Sequence, residues 1–268
     1  MLYERRMIAT PEGDVPLTMY MPDIWQPESE QLQRTTILIC GGGGFTHISP
    51  RETEPIALRF AAMGYQCATV SYRIAPNRWP SPVYDVAAAV AYLRRNAEEL
   101  HVHPERIAVM GFSAGGYAAG TVGTRWQDDA LWAPVKLKPD DVRPNAMLLC
   151  YPVITAGAYA HRGSFCQLTG SDDPESYTHL SLERYVTDKA PMTFLWHTWD
   201  DQTVPVENTL IMASALRKAG VSAEVHIYQH GSHGLALCDP TTALYGDQIM
   251  PDCAGWAELA GRFLARLP

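Results

Sequence analysis

The sequence predicts an α/β protein with a mostly parallel central sheet and helices on both faces. Short apolar or β-branched runs alternate with longer helical patterns, and this alternation is typical of parallel strands joined by helices. We expect the first runs to be antiparallel edge strands, because the connection between them is too short for a crossover helix. The runs that we interpret as strands are Leu17–Met21, Thr36–Cys40, Gln66–Ser71, Arg106–Met110, Ala146–Tyr151, Met192–Trp196 and Ala223–Tyr228.

One long connection, Thr155–Ala190, breaks this alternation, because only Leu180–Val186 within it has a helical pattern. A connection of this length inside a compact domain is typical of a lid or a pocket wall. Its four aromatic residues favour an ordered, packed segment. We therefore predict one domain over residues 1–268, with a small cap-like insertion at residues 155–190. The helical patterns elsewhere are Pro55–Met63, Val83–Leu100, Ala114–Thr121, Val206–Ala219 and Ala254–Leu267.

The composition excludes several classes of function. Apolar residues make up 47% of the 268 residues, which argues against a disordered chain. A formal net charge of −8 without a cluster of Lys or Arg argues against a nucleic-acid partner. The longest apolar stretch, Val86–Leu93, is far shorter than the roughly 18–20 residues of a membrane span, so we expect no membrane partner.

The first residues and the cysteines predict a cytoplasmic protein. No apolar segment follows the charged start Met1–Arg6, so the sequence shows no secretion signal. The six cysteines include no Cys-x-x-Cys pair. Cys238 and Cys253 could pair, but without an export signal we expect reduced thiols.

A Gly-x-Ser-x-Gly motif at Gly111–Gly115 indicates a nucleophilic serine. It follows an apolar run directly and precedes a helix of small residues. A serine on a tight strand-to-helix turn presents its hydroxyl above the edge of the sheet, and the flanking glycines avoid collisions in that turn. We therefore predict that Ser113 is the nucleophile, with a structural turn serine as the alternative.

A serine nucleophile needs a base and a third group that orients the base, in the chain order Ser, Asp or Glu, His for this kind of motif. The loop after the sixth predicted strand carries Asp200 and Asp201, and the loop after the seventh carries His230 and His233. All of these loops leave the carboxyl ends of strands, so their side chains can converge. We favour Asp201 and His233, and the neighbouring Asp200 and His230 are the alternatives.

A metal site is the other interpretation of His230-x-x-His233. No third ligand lies at a recognisable spacing, so we expect no metal and no cofactor. His197 is more typical of a residue that supports the site than of a catalytic one, whereas His161 lies in a loop that could reach a pocket.

Four glycines, Gly41–Gly44, follow directly after a predicted strand. Such a loop lets backbone N–H groups approach a substrate, and each donor to the oxyanion of acyl transfer contributes roughly 2.7–4 kcal/mol in the transition state. The expected donors are the N–H groups of Gly43, Gly44 and Ala114. A dinucleotide-binding loop is excluded, since no Gly-x-Gly-x-x-Gly opens a helix here.

These motifs resemble the α/β-hydrolase superfamily, specifically its esterases with a glycine-rich oxyanion loop, which are related to the hormone-sensitive-lipase group. Within them, the chain resembles a bacterial branch of acetyl-xylan or sugar-ester hydrolases, from about residue 36 onward. Gly41 stands where that branch has proline or histidine, and Phe45 stands where it has tyrosine. The matching segments are Gly41–Phe45, Ser49–Glu52, Ser71–Arg73, Ala75-Pro76, Asp85, Gly111–Gly116, Tyr151–Ile154, His161–Ser164, His197–Pro205 and His230–Gly234.

The resemblance implies an α/β-hydrolase fold and a serine carboxylic ester hydrolase that acts on short-chain, acetyl esters of sugars or xylo-oligosaccharides. Its partner is then a small-molecule ester, and a homodimer is compatible with it. We expect the insertion to shape the leaving-group side of the pocket. The residues that we expect to line the pocket are Phe45, His161, Arg162, Phe165 and Trp199.

Two other functions fit the same residues. A serine aminopeptidase would need an acidic anchor for the substrate amine, and Glu52 is the only candidate near the glycine loop. A non-catalytic ligand receptor on the same fold would be expected to lack the base, but His233 is present.

Overall fold

The computed structural model describes residues 1–23 and 33–268, and its centre is an eight-stranded sheet. The strands lie side by side in the order β1-β2-β4-β3-β5-β6-β7-β8. In chain order they are β1 (Leu2–Ile8), β2 (Val15–Met21), β3 (Arg34–Cys40), β4 (Gln66–Val70), β5 (Val102–Phe112), β6 (Ala146–Cys150), β7 (Met192–Thr198) and β8 (Ala223–Tyr228).

Among the strands that the structure describes, those from β4 to β8 are parallel in the sheet, and only the β1–β2 and β2–β4 pairs are antiparallel. The predicted fold class is therefore confirmed, but the prediction for the first two runs is only half right. The run Leu17–Met21 is antiparallel, although β1 covers its outer side. The run Thr36–Cys40 is not an edge strand, because β3 lies between β4 and β5 and is parallel to both. The short connection between β2 and β3 does not require these two strands to pair as an antiparallel hairpin, since β2 pairs with β1 and β4 instead.

The strand β1 was not predicted from the sequence. Its residues are mostly exposed or half-buried, and charged side chains such as Glu4 and Arg6 interrupt its apolar pattern. Charged residues on an outer strand are typical of sheet edges, where they discourage pairing with other chains. The signal of a buried strand is therefore weak in this segment.

The five helices predicted outside residues 155–190 are all present. The helices, in chain order, are α1 (Glu54–Ala62), α2 (Ser81–Arg95), α3 (Ala114–Arg125), α4 (Asp129–Trp132), α5 (Pro139–Val142), α6 (Arg162–Thr169), α7 (Glu207–Lys218), α8 (Pro251–Ala254) and α9 (Trp256–Leu264). In the parts of the chain that the structure describes, no helix is long and apolar enough to cross a membrane.

Alternate residues of each central strand enter two separate hydrophobic layers. On β3, Leu38 belongs to the layer that contains side chains of α2, α3 and α7, whereas Ile37 and Ile39 belong to the layer that contains side chains of α1 and α9. This alternation follows from the two-residue repeat of a strand. With helices on both faces, a central strand is buried on both sides, and its continuous apolar sequence reflects this.

Aromatic side chains of residues 155–190 pack against the core. Phe165 stacks on Tyr177 with ring centroids 5.2 Å apart and meets the edge of Tyr117 at 5.4 Å. The prediction of the helical part of this segment was wrong in position. The α-helix is α6, whereas Leu182–Tyr185 forms only a short 3-10 helix. Gly, Ser and Thr give α6 a low intrinsic helix propensity, and its start is stabilised by His161, whose Nδ1 atom accepts the N–H of Ser164.

Candidate active site

Ser113 lies in the sharp turn between β5 and α3. Its backbone has φ +52° and ψ −119°, in the region that non-glycine residues rarely adopt. A Cβ atom on Gly111 would lie 2.2 Å from the carbonyl oxygen of Gly115, and a Cβ on Gly115 would lie 2.2 Å from that of Cys40. The glycines of the motif are therefore required by direct backbone contact within the turn and with the end of β3.

The turn is also held by the neighbouring strand. The N–H of Ser113 donates to the carbonyl of Cys150 at 3.0 Å, and the N–H of Val153 donates to the carbonyl of Ser113 at 3.0 Å. The serine is only 7% exposed. The end of β6 thus keeps the strained serine in one orientation.

The three residues predicted as nucleophile, base and acid come together at the carboxyl ends of the strands. The Nε2 atom of His233 lies 2.8 Å from Oγ of Ser113, and its Nδ1 atom lies 2.6 Å from Oδ2 of Asp201. Asp201 follows β7 and His233 follows β8, so the side chains arrive from three different loops. The series of hydrogen bonds runs from a buried carboxylate through an imidazole to a hydroxyl.

Asp200 and His230, which were the alternatives, form a separate pair. Nδ1 of His230 lies 3.0 Å from Oδ2 of Asp200, and the N–H of Gly231 donates to Oδ1 of Asp200 at 2.8 Å. Both side chains are largely exposed. His230 and His233 therefore belong to different pairs. Within the described ranges, no group of three or more His, Cys, Asp or Glu residues could hold a metal ion.

The carboxylate of Asp201 is surrounded by donors. Its Oδ1 atom accepts the N–H groups of Thr203 at 2.8 Å and Val204 at 3.0 Å, and its Oδ2 atom faces His233 and His197. Burial would raise the pKa of Asp201, but the hydrogen bonds from His197 and His233 outweigh it and hold this pKa well below its usual range. Asp201 is therefore ionised at neutral pH.

His197 supports the acid and does not contact the serine, in agreement with the sequence interpretation. The side chain is completely buried. Its Nε2 atom lies 3.2 Å from Oδ2 of Asp201 and 3.0 Å from the carbonyl of Val204, and its Nδ1 atom lies 2.8 Å from Oγ1 of Thr209. Since both partners of Nε2 are acceptors, this nitrogen carries the hydrogen and donates.

The glycine loop lies against Ser113. A Cβ atom on Gly42 would be 2.9 Å from Cβ of the serine. Gly43 has φ +123° and Gly44 has φ +62°, conformations that glycine adopts most readily. Among the described residues, no acceptor takes the N–H groups of Gly43, Gly44 or Ala114, whereas the N–H of Gly42 donates to Glu52. The loop and the first residue of α3 thus present unpaired donors beside the serine.

The five predicted pocket residues lie in three different environments. Phe45 and Phe165 are 1% exposed and belong to the aromatic cluster around Tyr117, where Phe45 meets the tyrosine at 6.2 Å. Arg162 and Trp199 are exposed, the latter by 62%. His161 is half-buried, and its Nδ1 atom lies 2.7 Å from Oγ of Ser164.

His161 lies close enough to His233 and Asp201 for their charges to affect its pKa. Burial lowers its pKa, and the positive charge that His233 can carry lowers it further. His161 is therefore neutral at neutral pH. In the part of the chain that the structure describes, its Nε2 atom has no hydrogen-bond partner.

Tyr151 and Glu52 take part in the site in a way that the sequence did not predict. Glu52 is 4% exposed, and its two oxygens accept the N–H of Gly42 and the hydroxyl of Tyr151. This burial and these internal hydrogen bonds disfavour Glu52 as an anchor for a substrate amine. One signal was available for Tyr151, which directly follows a buried strand at the edge of the sheet where functional side chains converge.

The strand order, the serine turn and the convergence of loops at one sheet edge define an α/β hydrolase. The chain belongs to the BD-FAE family, whose model matches residues 22–216.

Two curated relatives are similar to most of this chain. Endo-1,4-beta-xylanase B of Butyrivibrio fibrisolvens is 31% identical over 79% of this chain and 34% of its own length. An acetylxylan esterase of Xylanibacter ruminicola is 29% identical over 81% of this chain and 44% of its own length. This chain thus spans between a third and a half of each of these relatives.

Two solved structures match it over nearly their whole length. The acetyl ester-xyloside bifunctional hydrolase of Caldicellulosiruptor lactoaceticus has a TM-score of 0.80 and 37% identity, and the match covers 94% of this chain and 88% of that one. A carboxylesterase of Lactobacillus plantarum has a TM-score of 0.87 and 28% identity, with 99% and 97% covered. The similarity therefore includes the insertion and the sheet.

Proposed function

We propose that this chain is a serine carboxylic ester hydrolase. The observation that carries the proposal is the hydrogen-bonded series Ser113–His233–Asp201, with distances of 2.8 and 2.6 Å, at a strained strand-to-helix turn. Acyl transfer by a serine needs a nucleophile that is hydrogen-bonded to a base, and a buried carboxylate that orients the base. The esterases among its relatives support the same activity.

In the proposed reaction, the Nε2 atom of His233 accepts the proton of Ser113 as its Oγ atom attacks the ester carbonyl. Asp201 accepts the Nδ1–H of the imidazole and stabilises the imidazolium that forms. The N–H groups of Gly43, Gly44 and Ala114 bind the oxyanion of the tetrahedral intermediate.

His233 then donates the proton to the leaving alcohol, and an acyl-enzyme on Ser113 remains. His233 next accepts a proton from the water that attacks the acyl carbonyl, and it returns this proton to Oγ of Ser113 as the carboxylic acid leaves. The reaction balances without a cofactor.

The proposed substrates are acetyl esters of sugars or xylo-oligosaccharides. The names of two relatives, an acetylxylan esterase and an acetyl ester-xyloside hydrolase, support this class. The insertion supports a short acyl group, because its one α-helix has eight residues and buries its apolar side chains Phe165 and Leu168 inward.

Two substrates and one variant test the proposal. The protein is incubated with p-nitrophenyl acetate and with acetylated xylo-oligosaccharides, and acetate release is measured. Ser113→Ala is expected to fold normally and to lose about four to six orders of magnitude in kcat. Retention of a tenth of the wild-type rate would exclude Ser113 as the nucleophile.

A fluorophosphonate probe separates an enzyme from a ligand receptor. It labels a serine only where the hydroxyl is activated, so we expect wild-type protein to be labelled and Ser113→Ala to remain unlabelled. An amide series tests the aminopeptidase alternative, which the burial of Glu52 disfavours. Cleavage of aminoacyl p-nitroanilides at rates equal to those of acetyl esters would favour the peptidase.

A further inference from the structure

A continuous hydrogen-bonded path joins the glycine loop to the loop that carries His233. The Oε2 atom of Glu52 accepts the N–H of Gly42 at 2.8 Å, and its Oε1 atom accepts the hydroxyl of Tyr151 at 2.7 Å. The oxygen of that hydroxyl accepts the N–H of Ala236 at 3.0 Å. Two loops that lie far apart in the chain are thereby held by one carboxyl and one phenol.

Tyr151 also contacts the base. Its ring meets the ring of His233 in an edge arrangement, with centroids 5.1 Å apart at 73°. Its φ of +36° is unusual for a residue other than glycine. Its peptide follows Cys150, whose carbonyl accepts the N–H of Ser113. Tyr151 therefore lies where the serine turn, the base and the carboxyl of Glu52 meet.

The burial of Glu52 needs an explanation. A carboxyl removed from water is costly unless it is paired or hydrogen-bonded. Among the residues that the structure describes, no basic side chain forms an ion pair with it, and its donors are the glycine loop and Tyr151. An apolar residue of similar size would avoid this cost but could not accept the N–H of Gly42.

We propose that Glu52 is a positioning residue for the oxyanion donors. By holding the N–H of Gly42, it fixes the peptide plane that precedes Gly43 and Gly44, so that their N–H groups face a carbonyl bound at Ser113. Through Tyr151 it also fixes the position of this loop relative to the loop that carries His233. The hydrogen bonds of Glu52 are with Gly42 and Tyr151, and it acts through them. The inference rests on the proposed ester hydrolysis.

The test compares turnover with the binding of an oxyanion. Glu52→Gln keeps the size of the side chain but cannot accept both the N–H and the hydroxyl. We expect kcat to fall about 10- to 100-fold, because a small misplacement of catalytic groups has an effect of this size. KM should stay within about twofold, since ground-state binding uses other contacts.

A trifluoromethyl ketone provides the second readout, because its adduct with serine carries an oxyanion. Its inhibition constant should rise by the same factor by which kcat/KM falls. Tyr151→Phe keeps the ring and removes the hydroxyl, and we expect the same pattern with a smaller effect. In the double variant, kcat should fall by less than the product of the two single-variant factors, because both substitutions break the same hydrogen-bonded path.

Asn145→Ala is the matched control. Its Oδ1 atom accepts the N–H of Ile107 at 3.1 Å, at the amino end of the sheet and away from the serine. This variant should lower Tm and keep kcat/KM within about twofold.

Three outcomes are distinguishable. Unchanged kcat and ketone binding in folded Glu52→Gln overturn the inference. If Glu52→Gln does not fold, unchanged values in Tyr151→Phe overturn it. Absence of ester cleavage by the wild-type protein would refute the proposed function instead.

Discussion

The Nε2 atom of His197 lies 3.2 Å from the Oδ2 atom of Asp201, and the imidazole is completely buried beneath that carboxylate. The same oxygen faces His233 at 2.6 Å. Thr209 holds the far side of the buried ring through Nδ1. The direction of the Asp201 side chain is therefore set by a histidine four residues earlier, whereas the neighbouring Asp200 turns toward solvent and His230.

The two aspartates should differ sharply in their effect on turnover. We expect Asp201→Asn to lower kcat about 10⁴-fold, because an amide favours the wrong tautomer of His233. Asp200→Asn is the matched control, and its kcat should remain within about tenfold of wild type, since water screens an exposed pair. Both values are measured with p-nitrophenyl acetate. A larger loss in Asp200→Asn would exchange the roles of the two residues.

Stability should depend on pH through Asp201. Its pKa in the folded protein lies below the value of about 3.9 expected in the unfolded chain. The unfolded chain therefore binds the proton more strongly. The ionised carboxylate contributes to the free energy of unfolding above about pH 4, and this contribution is lost as the pH falls.

Denaturant unfolding at about pH 7 and about pH 3 checks this expectation. The difference in free energy of unfolding between wild type and Asp201→Asn should shrink by at least about 1 kcal/mol at the lower pH. The same comparison with the exposed Asp200→Asn should show a smaller change. A difference that stays constant between the two pH values would contradict the assignment of a depressed pKa.

The acyl specificity should favour short chains. Phe165 and Leu168 of α6 point into the core, so the insertion leaves little apolar surface for a long acyl group. A pocket that buried each methylene would contribute about 0.8 kcal/mol, or about fourfold in affinity, per group. We expect kcat/KM to be highest from acetyl to butyryl and to fall steeply by octanoyl. A rise up to decanoyl esters in a p-nitrophenyl series would point to a lipase.

His161 should affect sugar esters more than simple ones. The ring is neutral at neutral pH, Nδ1 is bonded to Ser164, and Nε2 is available to a hydroxyl of the alcohol portion. We expect His161→Ala to raise KM for acetylated xylo-oligosaccharides about 2- to 10-fold, the effect of one hydrogen bond. KM for p-nitrophenyl acetate, which lacks such hydroxyls, is the internal control. Equal changes for both substrates would argue against this contact.

Much of the site could be predicted because its parts are local. The turn at Ser113 is encoded within five residues, where Gly111 and Gly115 meet backbone atoms directly. The chain order and the positions of the loops at the strand ends also limit the candidates for the acid to Asp200 and Asp201, and those for the base to His230 and His233. Within these pairs the sequence favours Asp201 and His233, and in the structure their side-chain directions depend on contacts with His197 and Tyr151.

The α/β class, the serine turn and the set of loops that meet at one sheet edge can be predicted from the sequence, because strand periodicity and glycine sterics act over a few residues. The position of β3 inside the sheet, and the hydrogen bonds by which Glu52 joins Gly42 to Tyr151, depend instead on tertiary packing. The bond between Glu52 and Tyr151 spans 99 positions. Contacts at such separations leave no local pattern, since they arise only when packing of the sheet and its helices fixes where each loop ends.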